Sequence, residues 1–220
     1  QTTAYEYDLL GRMVRQIAPD GTETAYTYDA LGNLTGETDP LGNVTAFAYT
    51  AESLLEKVTY ANGTTQSLTY DPAGNVTAET DAEGNTKEYQ YDKVNRLTAV
   101  IDELGNKTSY KYDALDNIAQ VTDALKHITR YTYDKNGNLL TETDALGNRV
   151  RYAYTPEGWL ESITKADGTV LTFEYDKTGS LLTQHVGDGQ TVESSYNETG
   201  RVTEVSSAEG TIVYQYNGQG

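Results

Sequence analysis

The sequence predicts an all-β fold, an antiparallel array of tandem β-hairpins with two strands in each repeat. Aromatic residues recur at intervals of 21 along the 220-residue chain, and turn glycines alternate at intervals of 10 and 11. Segments rich in Thr, Val, Tyr and Leu lie between the turns, and they have the composition and length of strands. No segment has the apolar periodicity of an amphipathic helix.

A tyrosine marks the same position in every repeat. The column two residues earlier is also aromatic in most copies, and side chains two residues apart lie on one face of a strand. These two columns hold 18 of the 19 tyrosines and both phenylalanines. They predict a structural aromatic ladder, whose second column is Tyr7, Tyr28, Tyr49, Tyr70, Tyr91, Tyr112, Tyr133, Tyr154, Tyr175 and Tyr196.

A third column is apolar in all ten copies, from Met13 to Val202. A position that must be apolar in every copy is predicted to be buried, because burial of apolar surface is what stabilises a fold. The structural apolar column comprises Leu34, Leu55, Val76, Leu97, Ile118, Leu139, Leu160 and Leu181.

Two glycine columns predict where the chain reverses direction. Asn95 and Asp116 replace glycine in two copies, and both residue types tolerate the positive φ of such turns. Ser53 and Lys126 occupy equivalent positions and fit them poorly. An aspartate follows the column tyrosine in most copies and is predicted to cap the backbone of its own turn. We call the turn after each column tyrosine the Tyr-Asp turn, including the copies in which Thr or Asn follows the tyrosine. The turn residues that we single out are Asp29, Gly32, Asp71, Gly74, Asp134 and Gly137.

The four prolines support these turns. Pro19, Pro40, Pro72 and Pro156 each stand two residues before a turn glycine, which is position i+1 of a type I turn. Proline favours this position because its ring fixes φ near about −65°. No proline interrupts a predicted strand, where a ladder hydrogen bond would be lost.

The odd repeat length constrains the two turns of each repeat. If neighbouring repeats stack in register, one loop must have an odd number of residues and the other an even number, unless a β-bulge absorbs one residue. A three-residue loop at the Tyr-Asp turn with a four-residue loop at the other turn is one solution. A three-residue Tyr-Asp loop would place Tyr28 and Leu34 on one apolar face. We favour that arrangement because a single sheet needs one face to bury, and it leaves a polar face rich in Thr, Glu and Lys.

The composition excludes several classes of partner. The net charge is −17 and the isoelectric point is near 4.3, so phosphate backbones and anionic membrane surfaces are repelled. We therefore expect no nucleic-acid binding and no membrane insertion, and no apolar run is long enough to span a bilayer. The chain has no cysteine, which removes disulfides and thiolate chemistry.

Three sets of residues are candidates for a chemical role. The turn aspartates form a line, but copies two strands apart are separated by about 9.6 Å and cannot share a calcium ion without other ligands. His127 and His185 lack zinc-site or catalytic-triad spacing, so surface positions are favoured. Trp159 could stack on a sugar, although packing at the sheet edge is favoured. The sequence thus predicts no catalytic residue, no metal site, no cofactor and no enzyme activity.

The repeat resembles the Rhs/YD-repeat family. The stretch from Tyr26 to Leu34 reads Tyr-x-Tyr-Asp-x-x-Gly-Asn-Leu, and about ten in-register copies cover essentially the whole chain. The family includes bacterial Rhs polymorphic toxins, Tc toxin C components, wall-associated bacterial proteins and teneurins. The resemblance implies a curved or spiralling sheet ribbon, part of a hollow shell that is secreted or displayed at the cell surface.

The resemblance also implies a structural function. In such toxins the shell encloses a toxin domain, so the implied partners are further repeats, copies of the chain paired through sheet edges, and an enclosed toxin domain. We expect residues 1–220 to be a single repeat domain without a separate catalytic domain, taken from a longer protein. Two alternatives stay open. Free edge strands recruit other strands and would assemble the chain into extracellular fibres, or exposed tyrosines would bind carbohydrate or cell surfaces.

Overall fold

The computed structural model describes residues 2–187 and 189–216. The described residues form strands and turns, with no helix assigned among them, which confirms the predicted all-β array. The strands are Ala4–Tyr7 (β1), Met13–Ile17 (β2), Glu23–Tyr28 (β3), Leu34–Thr38 (β4), Val44–Tyr49 (β5), Leu55–Thr59 (β6), Thr65–Tyr70 (β7), Val76–Thr80 (β8), Thr86–Tyr91 (β9), Leu97–Ile101 (β10), Lys107–Tyr112 (β11), Ile118–Thr122 (β12), Ile128–Tyr133 (β13), Leu139–Thr143 (β14), Arg149–Tyr154 (β15), Leu160–Thr164 (β16), Val170–Tyr175 (β17), Leu181–Val186 (β18), Gln190–Tyr196 (β19), Val202–Ser207 (β20) and Gly210–Val213 (β21).

The chain divides into two compact units, residues 1–109 and 110–220. In the first unit, antiparallel pairing runs in sequence order from β1 with β2 to β10 with β11. In the second unit, it runs in the same way from β12 with β13 to β20 with β21. This meander is the arrangement that short turns between consecutive strands produce.

Both turns of a repeat have three-residue loops, except at the last described turn, where Ser207 lies opposite Gly210 across a two-residue loop. At the Tyr-Asp turn, the Asp29 N–H donates to the Asn33 carbonyl at 3.0 Å, and the Gly32 N–H donates to the Asp29 carbonyl at 3.2 Å. At the opposite turn, the Asp39 N–H donates to the Asn43 carbonyl at 2.9 Å. The predicted four-residue loop at the second turn is therefore wrong.

A β-bulge absorbs the odd residue of each repeat, as the alternative solution required. Between β3 and β4, Tyr28 lies opposite Leu34, but Thr27 lies opposite Gly36, so Thr35 is the extra residue. The same shift recurs one residue from the strand end in the other hairpins that have a Tyr-Asp turn and whose pairing is described. Since Tyr28 and Leu34 are direct partners, they share a face as predicted.

Each unit has two unlike faces. The aromatic face carries both aromatic columns and the apolar column, as where Tyr28 lies opposite Leu34. The polar face carries the intervening residues, because successive side chains of a strand point to opposite sides. Thr27 is an example, and its Oγ1 lies 3.2 Å from Oγ1 of Thr35 on the neighbouring strand.

Neither unit contains a buried core of the globular kind. Among the described residues, only Gly36 and Ala99 are buried, and Ala99 is 1% exposed. The apolar column from Met13 to Val202 is half-buried in every copy, so the prediction of a buried column is wrong. The reason is that, within each unit, the described strands contact only their sequence neighbours, which cover the apolar side chains from the sides without a second layer above them.

The third loop residue adopts left-handed backbone even where it is not glycine. Ser53 has a φ of 64° and Lys126 a φ of 70°, although neither residue type favours that region. The turn geometry therefore overrides the local preference of these two residues.

Replacing Lys126 with glycine is expected to stabilise the protein by about 0.5–1 kcal/mol. Relief of left-handed strain gains about 1–2 kcal/mol, and the greater freedom of glycine in the unfolded chain removes part of that gain. The reciprocal change Gly147→Lys, at the equivalent position one repeat later with a φ of 87°, should destabilise the protein by a similar amount. Urea unfolding of both variants measures the effect, and shifts of the same sign would contradict it.

Candidate functional site

The Tyr-Asp turn is closed by its aspartate side chain. Asp29 Oδ1 accepts hydrogen bonds from the N–H groups of Leu31 (2.9 Å) and Asn33 (2.8 Å). The Asn33 side-chain amide donates to Asp29 Oδ2 at 2.9 Å. The predicted turn aspartates Asp71 and Asp134 make the same three bonds with their own loops. Such bonds compete with regular secondary structure and so fix the turn.

The opposite turns use the same device, as the position of Asp39 before Pro40 predicts. Asp39 Oδ1 accepts from the N–H groups of Leu41 and Asn43 at 2.8 Å each, and the Asn43 side-chain amide donates to Asp39 Oδ2 at 2.8 Å. The asparagine partner was not predicted, and its signal in the sequence is an asparagine four residues after an aspartate, a spacing that both turns of many repeats share.

These hydrogen bonds favour the ionised aspartate. The side-chain amide of Asn33, followed by backbone N–H groups of the loop, lowers the pKa of Asp29 below its ordinary value of 3.8. Asn138 and the loop N–H groups lower the pKa of Asp134 in the same way. The turns are therefore in their most stable form when these carboxylates are charged.

The two histidines make separate, local contacts. His127 Nδ1 lies 2.9 Å from Oδ2 of Asp123 within one turn, where it takes the place of the usual asparagine. His185 Nδ1 lies 3.0 Å from the hydroxyl oxygen of Thr191. In the described ranges, no group of three or more His, Cys, Asp or Glu residues is placed to hold a metal ion, and no helix is long and apolar enough to cross a membrane.

Ladder tyrosines connect one hairpin to the next. The Tyr28 hydroxyl donates to the backbone carbonyl of Met13, which belongs to the preceding repeat, at 2.8 Å. The same bond to the residue fifteen positions earlier recurs for Tyr70 (2.6 Å), Tyr133 (2.9 Å), Tyr154 (3.0 Å), Tyr175 (2.9 Å) and Tyr196 (2.8 Å). The acceptors are residues of the apolar column. The two columns therefore form one inter-repeat contact, in which the tyrosine hydroxyl finds the partner that a half-buried phenol needs.

This contact lies where the backbone ladder between hairpins stops. The pairing of β2 with β3 runs from Ile17 opposite Glu23 to Arg15 opposite Ala25. Beyond it, toward the Tyr-Asp turns, the Tyr28 hydroxyl supplies the connection in place of backbone pairs. From Tyr28 to Tyr196 the ladder tyrosines are half-buried, whereas Tyr7 is 60% exposed.

The residue before the apolar column adds a second contact between repeats. The Arg12 guanidinium donates to the Asp29 carbonyl at 3.0 Å and lies over the Tyr28 ring, 4.8 Å from its centroid. Trp159 takes the same place in a later repeat, 5.5 Å from the Tyr175 ring. A Cβ on Gly179 would lie 3.0 Å from the Trp159 ring. Trp159 is thus half-buried against the next turn, as edge packing predicts.

The family comparison agrees with this repeating geometry. A model of the RHS repeat matches residues 7–44, 28–65, 49–86, 70–107, 91–128, 133–170 and 154–191. These matches cover most of the chain, and each contains two consecutive ladder tyrosines with the turns that follow them. A comparison with curated protein sequences gives no match.

Solved structures with a similar fold include Tc toxin assemblies. The crystal structure of TcdB2-TccC3 without its hypervariable C-terminal region is 16% identical, with a TM-score of 0.50, and the match covers 99% of this chain and 17% of that chain. The Tc holotoxin pore of Photorhabdus luminescens, carrying the mutation TccC3-D651A, is 16% identical with a TM-score of 0.41, over 98% of this chain and 17% of that one. The chain thus spans about a sixth of the length of these structures. With its seven RHS-repeat matches, this protein belongs to the RHS-repeat, or YD-repeat, family.

Proposed function

We propose that this chain is a segment of the β-sheet shell wall of a secreted or cell-surface Rhs-type protein, which encloses or presents a toxin or effector domain. Its general role as a structural repeat scaffold follows from the family and the repeat contacts. All 220 residues act as one repeat array without a catalytic domain. Further repeats and the enclosed domain are the partners.

The open aromatic face carries this proposal. In each unit the strands contact only their sequence neighbours, so the described residues supply no second layer above the tyrosines and leucines. Apolar surface of this extent is stabilised when a partner covers it. In a shell wall, the enclosed domain is the partner that covers the aromatic face, and the polar face lies toward solvent.

Carbohydrate binding by the tyrosine ladder is less well supported. Hydroxyls that recognise a sugar must be available to it, whereas the ladder hydroxyls at Tyr28, Tyr70, Tyr133 and Tyr154 already donate to backbone carbonyls. Fibre formation through the sheet edges is a variant of the scaffold role. The edge strands β1 and β21 are exposed along their whole length.

Cysteine accessibility in the longer protein tests the wall assignment. The chain has no cysteine, so Thr129→Cys on the aromatic face and Thr132→Cys on the polar face of β13 each introduce one label site. We expect a bulky maleimide reagent to modify Cys at 132 and to spare Cys at 129, while both sites react in the isolated 220-residue chain. Equal modification of both sites in the longer protein would contradict enclosure, and fibres of the isolated chain in negative-stain images would favour assembly instead.

A further inference from the structure

Three arginines lie together on the polar face of the second unit. Arg130 of β13 and Arg149 of β15 both lie opposite Thr143 of β14, and Arg151 lies opposite Thr141 on the same strand. All three side chains are exposed. We call Arg130, Arg149 and Arg151 the arginine patch.

The arginine patch is unusual in a chain with a net charge of −17. The other four arginines each contact a carboxylate or a tyrosine ring: Arg12 with Asp8 (2.7 Å), Arg96 with Asp92 (2.7 Å), Arg15 with Glu6 (3.5 Å) and Arg201 over Tyr216 (5.4 Å). Within the described part of the chain, no ion pair is formed by Arg130, Arg149 or Arg151. The one side-chain bond described for them joins Arg149 Nε to Thr143 Oγ1 at 3.2 Å.

We propose that the arginine patch docks an extended, acidic polypeptide segment with carboxylates at alternate positions. Arg149 and Arg151 are two residues apart on one strand, so they repeat at about 6.8 Å along it. An extended segment lying along β15 presents its alternate side chains at the same spacing. Arg130 lies two strands away, at about 9.6 Å, and can reach a carboxylate at the edge of that segment.

Aliphatic side chains beside the arginines favour a polypeptide over a simple oxyanion. Ile128 lies two residues before Arg130 on the same face of β13, and Ala153 lies two residues after Arg151 on β15. A peptide with small or aliphatic residues next to its acids can contact both, whereas inorganic phosphate cannot. Guanidinium groups bind carboxylates in planar, two-bond geometry, which makes arginine better suited than lysine to this role.

The overall negative charge does not prevent such docking at physiological salt. At an ionic strength of about 0.15 M the screening length is about 8 Å, so an acidic peptide on the arginine patch senses mainly the nearby guanidiniums. Exposed ion pairs are individually weak. We therefore expect association that depends on all three arginines and weakens as salt is raised.

Binding of a fluorescent peptide of alternating glutamate and valine, measured by anisotropy in about 0.15 M salt, tests the proposal. The triple variant Arg130→Gln, Arg149→Gln, Arg151→Gln should weaken binding at least about tenfold. The matched control Lys93→Gln, Lys135→Gln, Lys177→Gln removes three exposed charges from turns and should change binding less than about twofold. Far-UV circular dichroism should be the same for all three proteins, since every altered side chain is exposed.

Competition identifies the class of ligand. An unlabelled peptide of the same sequence should displace the probe, and its lysine-valine counterpart should not. Equal binding by the triple arginine variant would overturn the proposal. So would a surface that binds a sulfated polysaccharide or inorganic phosphate but fails to bind the acidic peptide.

Discussion

Replacing Tyr154 with alanine is expected to lower the free energy of unfolding by about 2–3 kcal/mol, and replacement with phenylalanine by about 1 kcal/mol. The phenylalanine variant loses only the hydroxyl bond to the Leu139 carbonyl, and a hydrogen bond of this kind contributes about 0.5–1.5 kcal/mol. The alanine variant also loses the half-buried ring between neighbouring repeats. Urea unfolding followed by far-UV circular dichroism gives both values.

Tyr60 provides the matched control for this series. It is the one tyrosine outside the two aromatic columns, and its hydroxyl bonds to the Gln66 side chain at 2.6 Å across the local turn. Tyr60→Phe should lower the free energy of unfolding by less than about 0.5 kcal/mol, as surface substitutions usually do. If Tyr60→Phe and Tyr154→Phe were equally costly, the inter-repeat hydroxyl bond would not be what distinguishes the ladder.

Acid is expected to unfold the protein through its turns. Hydrogen bonds from the loops lower the pKa of the turn aspartates, as at Asp29, Asp39 and Asp144. A carboxyl whose pKa is lower in the folded state contributes stability above its unfolded value of about 3.8 and loses it as pH falls below that value. The urea midpoint should therefore fall steeply below about pH 4, because such turns recur along the whole chain.

The slope of stability against pH gives the number of protons taken up on unfolding. Asp134→Asn keeps a side-chain oxygen as acceptor but cannot titrate, so its slope below about pH 4 should be smaller than that of the unaltered protein. Glu198→Gln is a suitable control, because Glu198 is exposed in the loop after Tyr196, and the side chain of Asn197 closes that loop instead. A urea midpoint that stays level or rises from pH 5 to pH 3 would contradict the account.

The fold was largely predictable because the same pattern of residues recurs in each repeat. Glycine at position 32 and proline at position 40 mark the turns by backbone preference alone, and the tyrosine spacing marks one strand face. The loop lengths were not predictable in this way. A three-residue loop with a bulge at Thr35 and a four-residue loop without one are both compatible with 21 residues, and only the pairing of Tyr28 with Leu34 and Thr27 with Gly36 separates them.

The inter-repeat contacts were less visible in the sequence. The columns showed that Tyr28 and Leu34 share a face, but the bond from Tyr28 to the Met13 carbonyl joins a side chain to a backbone atom, which leaves no trace in residue identity. The degree of burial was overestimated for a related reason. An invariant apolar column such as that of Leu139 indicates a contact in every copy, but it does not tell whether a second layer covers that contact.

In-register deletion of one repeat tests most directly the claim that a 21-residue unit, joined to its neighbours by the tyrosine ladder, is the structural unit of this protein. Removing residues 134–154 places Thr155 directly after Tyr133 and restores a Tyr-Asp-type turn in the correct frame, so we expect the same β-sheet spectrum and cooperative unfolding with one repeat less stability. Removing residues 134–143 shortens the chain by less but carries every later ladder tyrosine to the opposite side of the sheet. The free energy of unfolding of that variant should be lower than that of the 134–154 deletion by several kcal/mol, on the order of the contribution of two or three ladder contacts. Equal stability of the two deletion variants would contradict the account.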